Sequence, residues 1–323
     1  MYMSYTLKYI LKRIAMMIVT FFIIMLICFV LIKLLPIPEA AKYGPNAPVI
    51  QKSREARGYN KPILIQFFIF WKRIFLYGDW GLGEEYKVGK DVWDTFAGRL
   101  PNTMIVNLYA ILLSIPVGIL LGIYAALRKN KWQDHVISTT IMIVVSVPSF
   151  VYAFLIQHIF YFRLGWFPAQ MAAVSEVGRF SWDMFVSIIM PIMALSFGTI
   201  AGFARVTRAE LTEVLTSDYM LLARAKGLSK GQAVMRHALK NCGVIIIPAI
   251  FGEFIGIMSG SLIIENMFGI NGIGALYLAS ITSLDYNFFM MLSAFYTFIG
   301  LAAGIVVDIS YGLIDPRIRM GAR

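Results

Sequence analysis

Polar side chains inside long apolar stretches are the residues of this sequence that could do chemistry. Glu253 is the only charged residue in one such stretch, and Gln157 and His158 interrupt another. A carboxylate is costly in hydrocarbon, so such a group normally faces protein or water. We predict that these three side chains line a path for a solute or, alternatively, bond a neighbouring helix. A further acid, Asp308, lies close to the end of its stretch, where it can reach cations at the membrane interface.

The composition identifies a membrane protein. Of 323 residues, 59% are hydrophobic and 15% are charged, and the mean hydropathy is +0.73. Soluble domains carry about 25% charged residues. In such a chain the net charge of +11 indicates basic cytoplasmic loops that fix the orientation, rather than nucleic-acid binding. Cys28 lies in an apolar stretch and Cys242 just after a basic loop, so they predict neither a disulfide nor a metal site.

Six stretches with at most one charge are long enough to cross the ~30 Å hydrocarbon core of a bilayer as helices, which takes about 20 residues. They are 14–32, 104–127, 136–162, 184–204, 242–264 and 288–307. The sequence therefore predicts an all-α polytopic membrane protein with six transmembrane helices, in which residues 1–323 form a single domain. Segment 61–77 is apolar but contains adjacent cations, so it is predicted to lie in the interface or to pack against a subunit.

The distribution of lysine and arginine predicts that both termini are cytoplasmic. Sixteen of these cations lie in the two termini and in the second and fourth connections, whereas the third and fifth connections hold two and none. The cation-rich side of a membrane protein is normally the cytoplasmic side. The outer segment 36–102 holds ten, but a loop of this length is translocated largely regardless of its charge.

The cytoplasmic loop 205–241 has the pattern of two short helices that meet in an elbow. The start and stop signals are a cap at Ser217 or Asp218, a helix break at Gly227 and a second cap at Ser229. They predict helices over 219–226 and 229–240. The elbow has an apolar side and a charged side, so we expect it to dock on a protein. The apolar residues are Leu221, Leu222, Ala225 and Leu228, and the cations are Arg224 and Lys226.

Four groups of segments, in the same order, resemble ABC-importer permeases of the peptide/nickel type, and together they span nearly the whole chain. They are 78–83 with 99–103, 218–241, 265–274 with 285–286, and 315–319. Segment 218–241 reads DYMLLARAKGL and then RHALKN, and it is similar to the EAA loop of that family. One departure is that Leu221 stands where the broader Glu-Ala-Ala-x-x-x-Gly pattern has its acid. Docking would therefore rest on apolar contacts, together with the cations Arg224 and Lys226.

The resemblance implies a type I ABC-importer permease fold in a bacterial inner membrane. It also implies the partners, which are a second homologous permease, two cytoplasmic ATPases, an extracytoplasmic peptide-binding protein and the lipid bilayer, with no nucleic acid. The chain itself has no Gly-x4-Gly-Lys-Ser/Thr loop for phosphates. We therefore expect it to bind no cofactor and to use ATP-Mg held by the partner ATPases.

The same resemblance implies two groups of site residues. The ATPase-coupling loop comprises Asp218, Tyr219, Leu221, Leu222, Ala223, Arg224, Ala225, Lys226, Gly227, Leu228, His237 and Leu239. The outer gate or partner contact comprises Glu265, Phe268, Gly272, Gly274 and Asp285.

Three other functions stay open at this stage. Nickel or another small solute is a substrate alternative, although the matched segments belong to the oligopeptide branch and the three histidines form no cluster of metal ligands. A secondary transporter would use Glu253, His158 and Asp308 as a proton relay, but no inverted repeat or broken span is evident. A membrane enzyme is disfavoured because neither His-Glu-x-x-His nor Gly-x-Ser-x-Gly occurs.

Overall fold

The computed structural model describes residues 2–35 and 39–314. In these residues the chain is helical, with one isolated antiparallel bridge between Leu82 and Asp91. The helices are α1 (Tyr2–Lys33), α2 (Ala47–Ala56), α3 (Ile63–Tyr77), α4 (Val92–Leu127), α5 (Trp132–Ser146), α6 (Ser149–Gln157), α7 (Val174–Val177), α8 (Trp182–Leu215), α9 (Asp218–Ala225), α10 (Lys230–Ala233), α11 (Leu239–Gly256), α12 (Leu262–Met267), α13 (Ile273–Thr282) and α14 (Tyr286–Ile314). A 3₁₀ segment covers Ala40–Asn46, and π-helical turns cover His158–Arg163 and Val234–Ala238. The all-α prediction is confirmed.

Five of the described helical stretches are long and apolar enough to cross a membrane. They are Lys8–Lys33, Val92–Leu127, Trp182–Leu215, Lys230–Gly256 and Tyr286–Gly312. A sixth span results only if Trp132–Ser146 and Ser149–Arg163 are counted together, although these two helices meet at 99°. The membrane-spanning architecture is confirmed, and the third predicted span is the one that needs correction.

The prediction of one unbroken helix over 136–162 is wrong, because the chain bends between α5 and α6. Val147 is extended, with φ −90° and ψ 127°, and Pro148 follows with φ −57° and ψ 141°. A proline disfavours helical geometry in the residue before it and has no amide hydrogen to donate. The expectation that no span is broken is therefore also wrong for this segment.

The fifth predicted span, 242–264, ends earlier than its hydropathy suggests. Helix α11 stops at Gly256, Gly260 adopts a positive φ of 63°, and α12 is a separate short helix. Apolar residues continue past the end of α11, so hydropathy alone does not show the turn. Glu253 is at the middle of the predicted stretch 242–264, but in the structure it lies in the last turn of its helix.

Helices α4 and α8 pack closely along their lengths and form the centre of the fold. Gly118 and Gly122 lie on the α4 face that contacts α8. A Cβ added at Gly118 would lie 2.8 Å from the Ile200 carbonyl oxygen, and one at Gly122 would lie 2.6 Å from Cβ of Thr207. Small residues four apart let two backbones approach at this distance. This glycine pair therefore joins two helices of the same chain.

The predicted interfacial or subunit-packing segment 61–77 forms helix α3. One face of α3 is buried against α1 and α14 in an apolar cluster. The buried members of that cluster are Met25, Phe29, Ile32, Phe67, Phe70, Trp71, Tyr286, Met290 and Ala294. The other face exposes Leu64, Phe68 and Phe75. Helix α3 thus packs the outer segment on two of the spanning helices.

Candidate functional site

The elbow is present, and its turn forms as the sequence predicts. Helix α9 ends at Ala225, and Gly227 reverses the chain with φ +89°. Ser229 then caps α10 in a capping box with Gln232, in which each side chain bonds the other residue's amide. Such reciprocal bonds satisfy amide groups that a helix start leaves unpaired.

Two details of the elbow differ from the prediction. Ser217 occupies the cap position of α9, but its hydroxyl donates to the Val214 carbonyl at 2.6 Å and caps nothing. The second helix does not stop at Lys240, because α10 continues through a π-helical turn into α11. The elbow is therefore continuous with a spanning helix.

The side chains of α9 divide into a buried set and an exposed set. Met220 and Ala223 are buried in a cluster with Leu211 of α8 and Val234, and Leu228 packs partly against it. Leu221 and Leu222 are 63% and 56% exposed. These two large apolar side chains lie next to each other and form an exposed apolar patch on the elbow.

The remaining coupling-loop residues lie mostly on the outside of the elbow. The exposed ones are Asp218, Tyr219, Arg224, Ala225, Lys226, Gly227 and His237, whereas Leu239 is half-buried. Arg224 and Lys226 form no ion pair with any residue of the described chain. An open depression of about 470 Å³ lies in the angle between α9 and α10, beside Leu221, Arg224 and Lys230. The surface available for docking is therefore apolar with a cationic edge, and Ala223 and Leu228 support it from beneath.

Gly227→Val should misdirect the second arm of the elbow. No atom lies within 4 Å of a Cβ added at Gly227, so the cost comes from the positive φ alone, about 1 to 2 kcal/mol for a β-branched residue. Gly227→Asn is the matched control, because asparagine tolerates left-handed geometry better. If the chain is a permease of the kind it resembles, the valine variant should lower uptake of peptide into proteoliposomes at least about fivefold more than the asparagine variant does. Equal uptake by both variants would show that the left-handed turn is not needed.

On the opposite end of the bundle, Asp285 binds the outer segment to the start of α14. One carboxylate oxygen accepts the amide hydrogens of Glu84, Glu85 and Tyr86 at 2.7, 2.9 and 3.0 Å. The other accepts the amide hydrogen of Phe288 at 3.2 Å. Burial raises the pKa of Asp285, and these four amide donors oppose the shift. Three consecutive amides around one oxygen form an anion-binding concavity that the chain fills with its own side chain.

Glu84, whose amide forms part of this concavity, has a side-chain carboxylate that is bound by a second set of donors. The Arg54 guanidinium donates to Glu84 at 2.9 and 2.6 Å, and the Tyr59 hydroxyl donates at 3.0 Å. Asn287 donates its side-chain amide to the Leu82 carbonyl at 2.8 Å. Arg54 and Glu84 are both almost fully buried. The outer segment is thus tied to α14 by a continuous polar network, which we call the outer clamp.

The buried carboxylate of Glu265, on α12, links this helix to α4 and α13. It accepts the Thr103 hydroxyl at 2.8 Å and the Ala275 amide at 3.0 Å. A Cβ at Gly272 or Gly274 would lie within 3.0 Å of its Oε2 atom, so a larger residue at either position would displace the carboxylate from its present bonds. Burial raises the pKa of Glu265, and its hydrogen bonds oppose that shift.

The five residues expected at an outer gate or partner contact are all buried within the chain. Glu265, Phe268 and Asp285 are 3%, 0% and 0% exposed. Phe268 packs in a core cluster with Met184 and Ile264. In this conformation these residues hold the outer loops together and present no surface to a partner, because their polar groups are already bonded inside the chain.

The three polar residues expected along a path are not joined to one another. Gln157 donates its amide to the Ala169 carbonyl at 3.0 Å and so supports the loop after α6. His158 stacks on Phe154, with ring centroids 6.1 Å apart. Glu253 is half-buried and has no hydrogen-bond partner among the residues described. Gln157 therefore has a structural bond, and Glu253 is the member of the set whose carboxylate is free for another ligand.

Asp308 forms an ion pair with Arg13 at 3.0 Å across α14 and α1. The sequence predicts that Asp308 can reach a cation at the membrane interface, and Arg13 is that cation. No group of three or more histidine, cysteine, aspartate or glutamate residues that could hold a metal occurs in the described ranges.

Sequence reasoning missed one buried ion pair near the elbow. Asp134 at the start of α5 is 1% exposed and accepts from the Arg208 guanidinium of α8 at 2.8 Å. Its carboxylate also accepts the Asn130 amide at 3.0 Å, which fixes the connection between α4 and α5. The two residues are 74 positions apart, and the sequence carries no signal of their pairing.

Comparisons with known proteins give the class to which this fold belongs. Residues 118–320 match the family model of the binding-protein-dependent transport system inner membrane component, and residues 6–107 match the model of the N-terminal region of such membrane components. The chain belongs to this family of inner-membrane transport components, and it is a multi-pass membrane protein.

Individual relatives lie within the peptide branch of that family. The chain is 34% identical over 313 residues to the dipeptide transport system permease protein DppB of Lactococcus lactis, with 97% of this chain and 99% of that protein covered. It is 33% identical to DppB of Bacillus subtilis, covering 97% and 98%. It is also 33% identical to the oligopeptide transport system permease protein OppB of Escherichia coli, covering 97% and 99%. The predicted resemblance to this class of permease is confirmed.

Proposed function

We propose that this chain is the transmembrane permease subunit of an ATP-driven importer of oligopeptides. The observation that carries the proposal is the exposed apolar surface of α9 on an elbow continuous with a spanning helix. Relatives that match the chain from end to end and are named for dipeptide and oligopeptide transport support the substrate class. Nickel is disfavoured because the described chain offers no cluster of metal ligands.

In this proposal the chain forms half of the translocation path and a second homologous permease forms the other half. One of the two cytoplasmic ATPases binds the elbow, with Leu221, Leu222 and Ala225 in an apolar groove and Arg224 at its edge. Closure of the ATPases on ATP-Mg moves α9 and α10 as a rigid unit, and α11 carries the displacement into the membrane. An extracytoplasmic binding protein delivers the peptide to the side of the outer clamp.

Glu253 has a specific place in this scheme. It lies at the far end of α11 from the elbow, half-buried and without a hydrogen-bond partner in the described chain. A peptide has an amino terminus and amide hydrogens that a carboxylate can accept. We assign Glu253 to the path. The variant Glu253→Gln would keep the shape of this side chain and remove its charge.

Uptake by the reconstituted complex tests the substrate class. Proteoliposomes that contain this chain with its partner permease, ATPases and binding protein are supplied with labelled di-, tri- and pentapeptides and, in parallel, with Ni²⁺. We expect ATP-dependent accumulation of at least one peptide length and none of Ni²⁺. Accumulation of Ni²⁺ without any peptide would overturn the proposed substrate.

The orientation of the elbow gives a separate prediction. Single cysteines at Gly231 and Asn46, both exposed positions, are introduced after replacement of Cys28 and Cys242. A membrane-impermeant thiol reagent added to intact cells should label the cysteine at Asn46 and leave that at Gly231 unlabelled until the membrane is opened. Labelling of Gly231 from outside would reverse the topology and remove the elbow from the ATPases.

A further inference from the structure

A basic cleft lies beside the elbow, at the same end of the bundle. It has a volume of about 350 Å³ and is bounded by the end of α4, the connection to α5, the end of α8, and the two arms of the elbow. Four cations line it, two from the connection and two from the elbow, namely Lys129, Lys131, Arg224 and Lys230. The fold therefore brings together positive charges from two segments that are about 100 positions apart in the sequence.

The cleft contains no acid to balance these cations. Its other lining residues are neutral, and none of the four cations forms an ion pair with a described residue. The hydroxyl oxygen of Thr212, on the wall formed by α8, is buried and has no hydrogen-bond partner in the described chain. Cations that repel one another, together with an unused hydroxyl, fit an anion with several acceptor oxygens, such as a phosphate.

The cleft lies at the end of a spanning helix. It adjoins Leu127, the last residue of that helix, and Leu127 gives its rim an apolar side. Trp132, next to Lys131, is 71% exposed, and Tyr124, one turn before the end of α4, is 45% exposed. Exposed tryptophan and tyrosine at helix ends mark the level of lipid headgroups.

We propose that this cleft binds the phosphate headgroup of an anionic phospholipid. The cations hold the phosphate and Thr212 donates to it, while the acyl chains extend past Leu127 into the bilayer. Basic pockets between helices at this depth are typical headgroup sites. The bound lipid bridges the α4–α5 connection to both arms of the elbow and removes the repulsion between them. This inference does not depend on the peptide substrate or on the ATPases.

Retention of lipid by the purified protein tests the site. The full-length chain in detergent is titrated with phosphatidylglycerol and, separately, with phosphatidylcholine, and bound lipids are counted by native mass spectrometry. Lys129→Gln/Lys131→Gln removes two cations that the coupling role does not use. Each cation near an anionic headgroup contributes roughly fivefold to affinity, so we expect at least about tenfold weaker phosphatidylglycerol binding with phosphatidylcholine unchanged.

The matched control is Lys8→Gln/Lys12→Gln, which removes two exposed cations from α1 that do not line the cleft. It should bind phosphatidylglycerol like the wild type. Equal thermal unfolding midpoints of all three proteins without added lipid show that the variants are folded. Equal phosphatidylglycerol affinity in both double variants would overturn the proposal. Displacement of the lipid by an equimolar amount of inorganic phosphate would also overturn it and assign the cleft to a soluble phosphate.

Discussion

A carboxylate at Leu222 should abolish stimulated ATP hydrolysis and peptide transport together, while the chain still inserts in the membrane. The Leu222 side chain is 56% exposed, so the isolated chain tolerates aspartate there. In the complex the new charge is either buried unpaired, at a cost on the order of 3 kcal/mol or more, or keeps the ATPase away. That cost corresponds to a loss of ATPase affinity of about a hundredfold or more.

The measurement is retention of the ATPases on the purified complex, followed by hydrolysis in proteoliposomes. Leu222→Met is the matched control, since it keeps the surface apolar, and it should retain most of the activity. Ala225→Asp should behave like Leu222→Asp, because Ala225 lies on the same exposed side. Arg224→Ala should be milder, because an edge cation contributes mainly to the association rate. Normal retention and normal hydrolysis in both aspartate variants would show that the elbow is not the coupling element.

Asp285→Ala should release the outer segment from α14. The substitution leaves the amides of Glu84, Glu85, Tyr86 and Phe288 without their carboxylate. An unpaired buried donor costs about 1 to 3 kcal/mol, so the loss of several is among the largest single effects this chain offers. Trypsin cleavage at the exposed Lys87 and Lys90 should accelerate by about a hundredfold, because it reports local opening of the outer clamp.

Two further variants make the clamp experiment specific. Asp285→Asn keeps an acceptor oxygen in place and should open less than the alanine variant. Asp308→Asn removes a carboxylate from a partly exposed ion pair with Arg13, which contributes at most about 1 kcal/mol. It should leave cleavage at Lys87 unchanged. If Asp285→Ala and Asp308→Asn were cleaved at the same rate, the outer clamp would not hold the segment.

The spanning helices and the elbow turn follow from local features of the sequence. Hydropathy finds the cores of five spans, since a helix in lipid must be apolar over a fixed length. Gly227 and Ser229 predict the turn and the capped second arm because left-handed geometry and helix starts favour these residue types. Each of these signals acts over only a few residues.

The sequence predictions fail where one residue outweighs the hydropathy of its neighbours, or where a contact leaves no local signal in the sequence. Pro148 breaks the third span, although the residues around it are as apolar as those of an unbroken helix. Glu253 is displaced to a helix end because apolar residues continue past Gly256. The bonds of Asp285 to residues about 200 positions away form only when α14 meets the outer segment. Contacts of that kind depend on packing, which a single sequence does not display.

The energy source for uptake tests the central proposal most directly. Proteoliposomes with the full complex and a transported peptide are supplied with ATP at a fixed concentration, and the proton gradient is then collapsed with an uncoupler. We predict that uptake continues unchanged, and that it stops when the phosphate-loop lysine of the partner ATPase is replaced. Uptake that instead follows the proton gradient and survives the ATPase substitution would contradict the account and make this chain a secondary transporter.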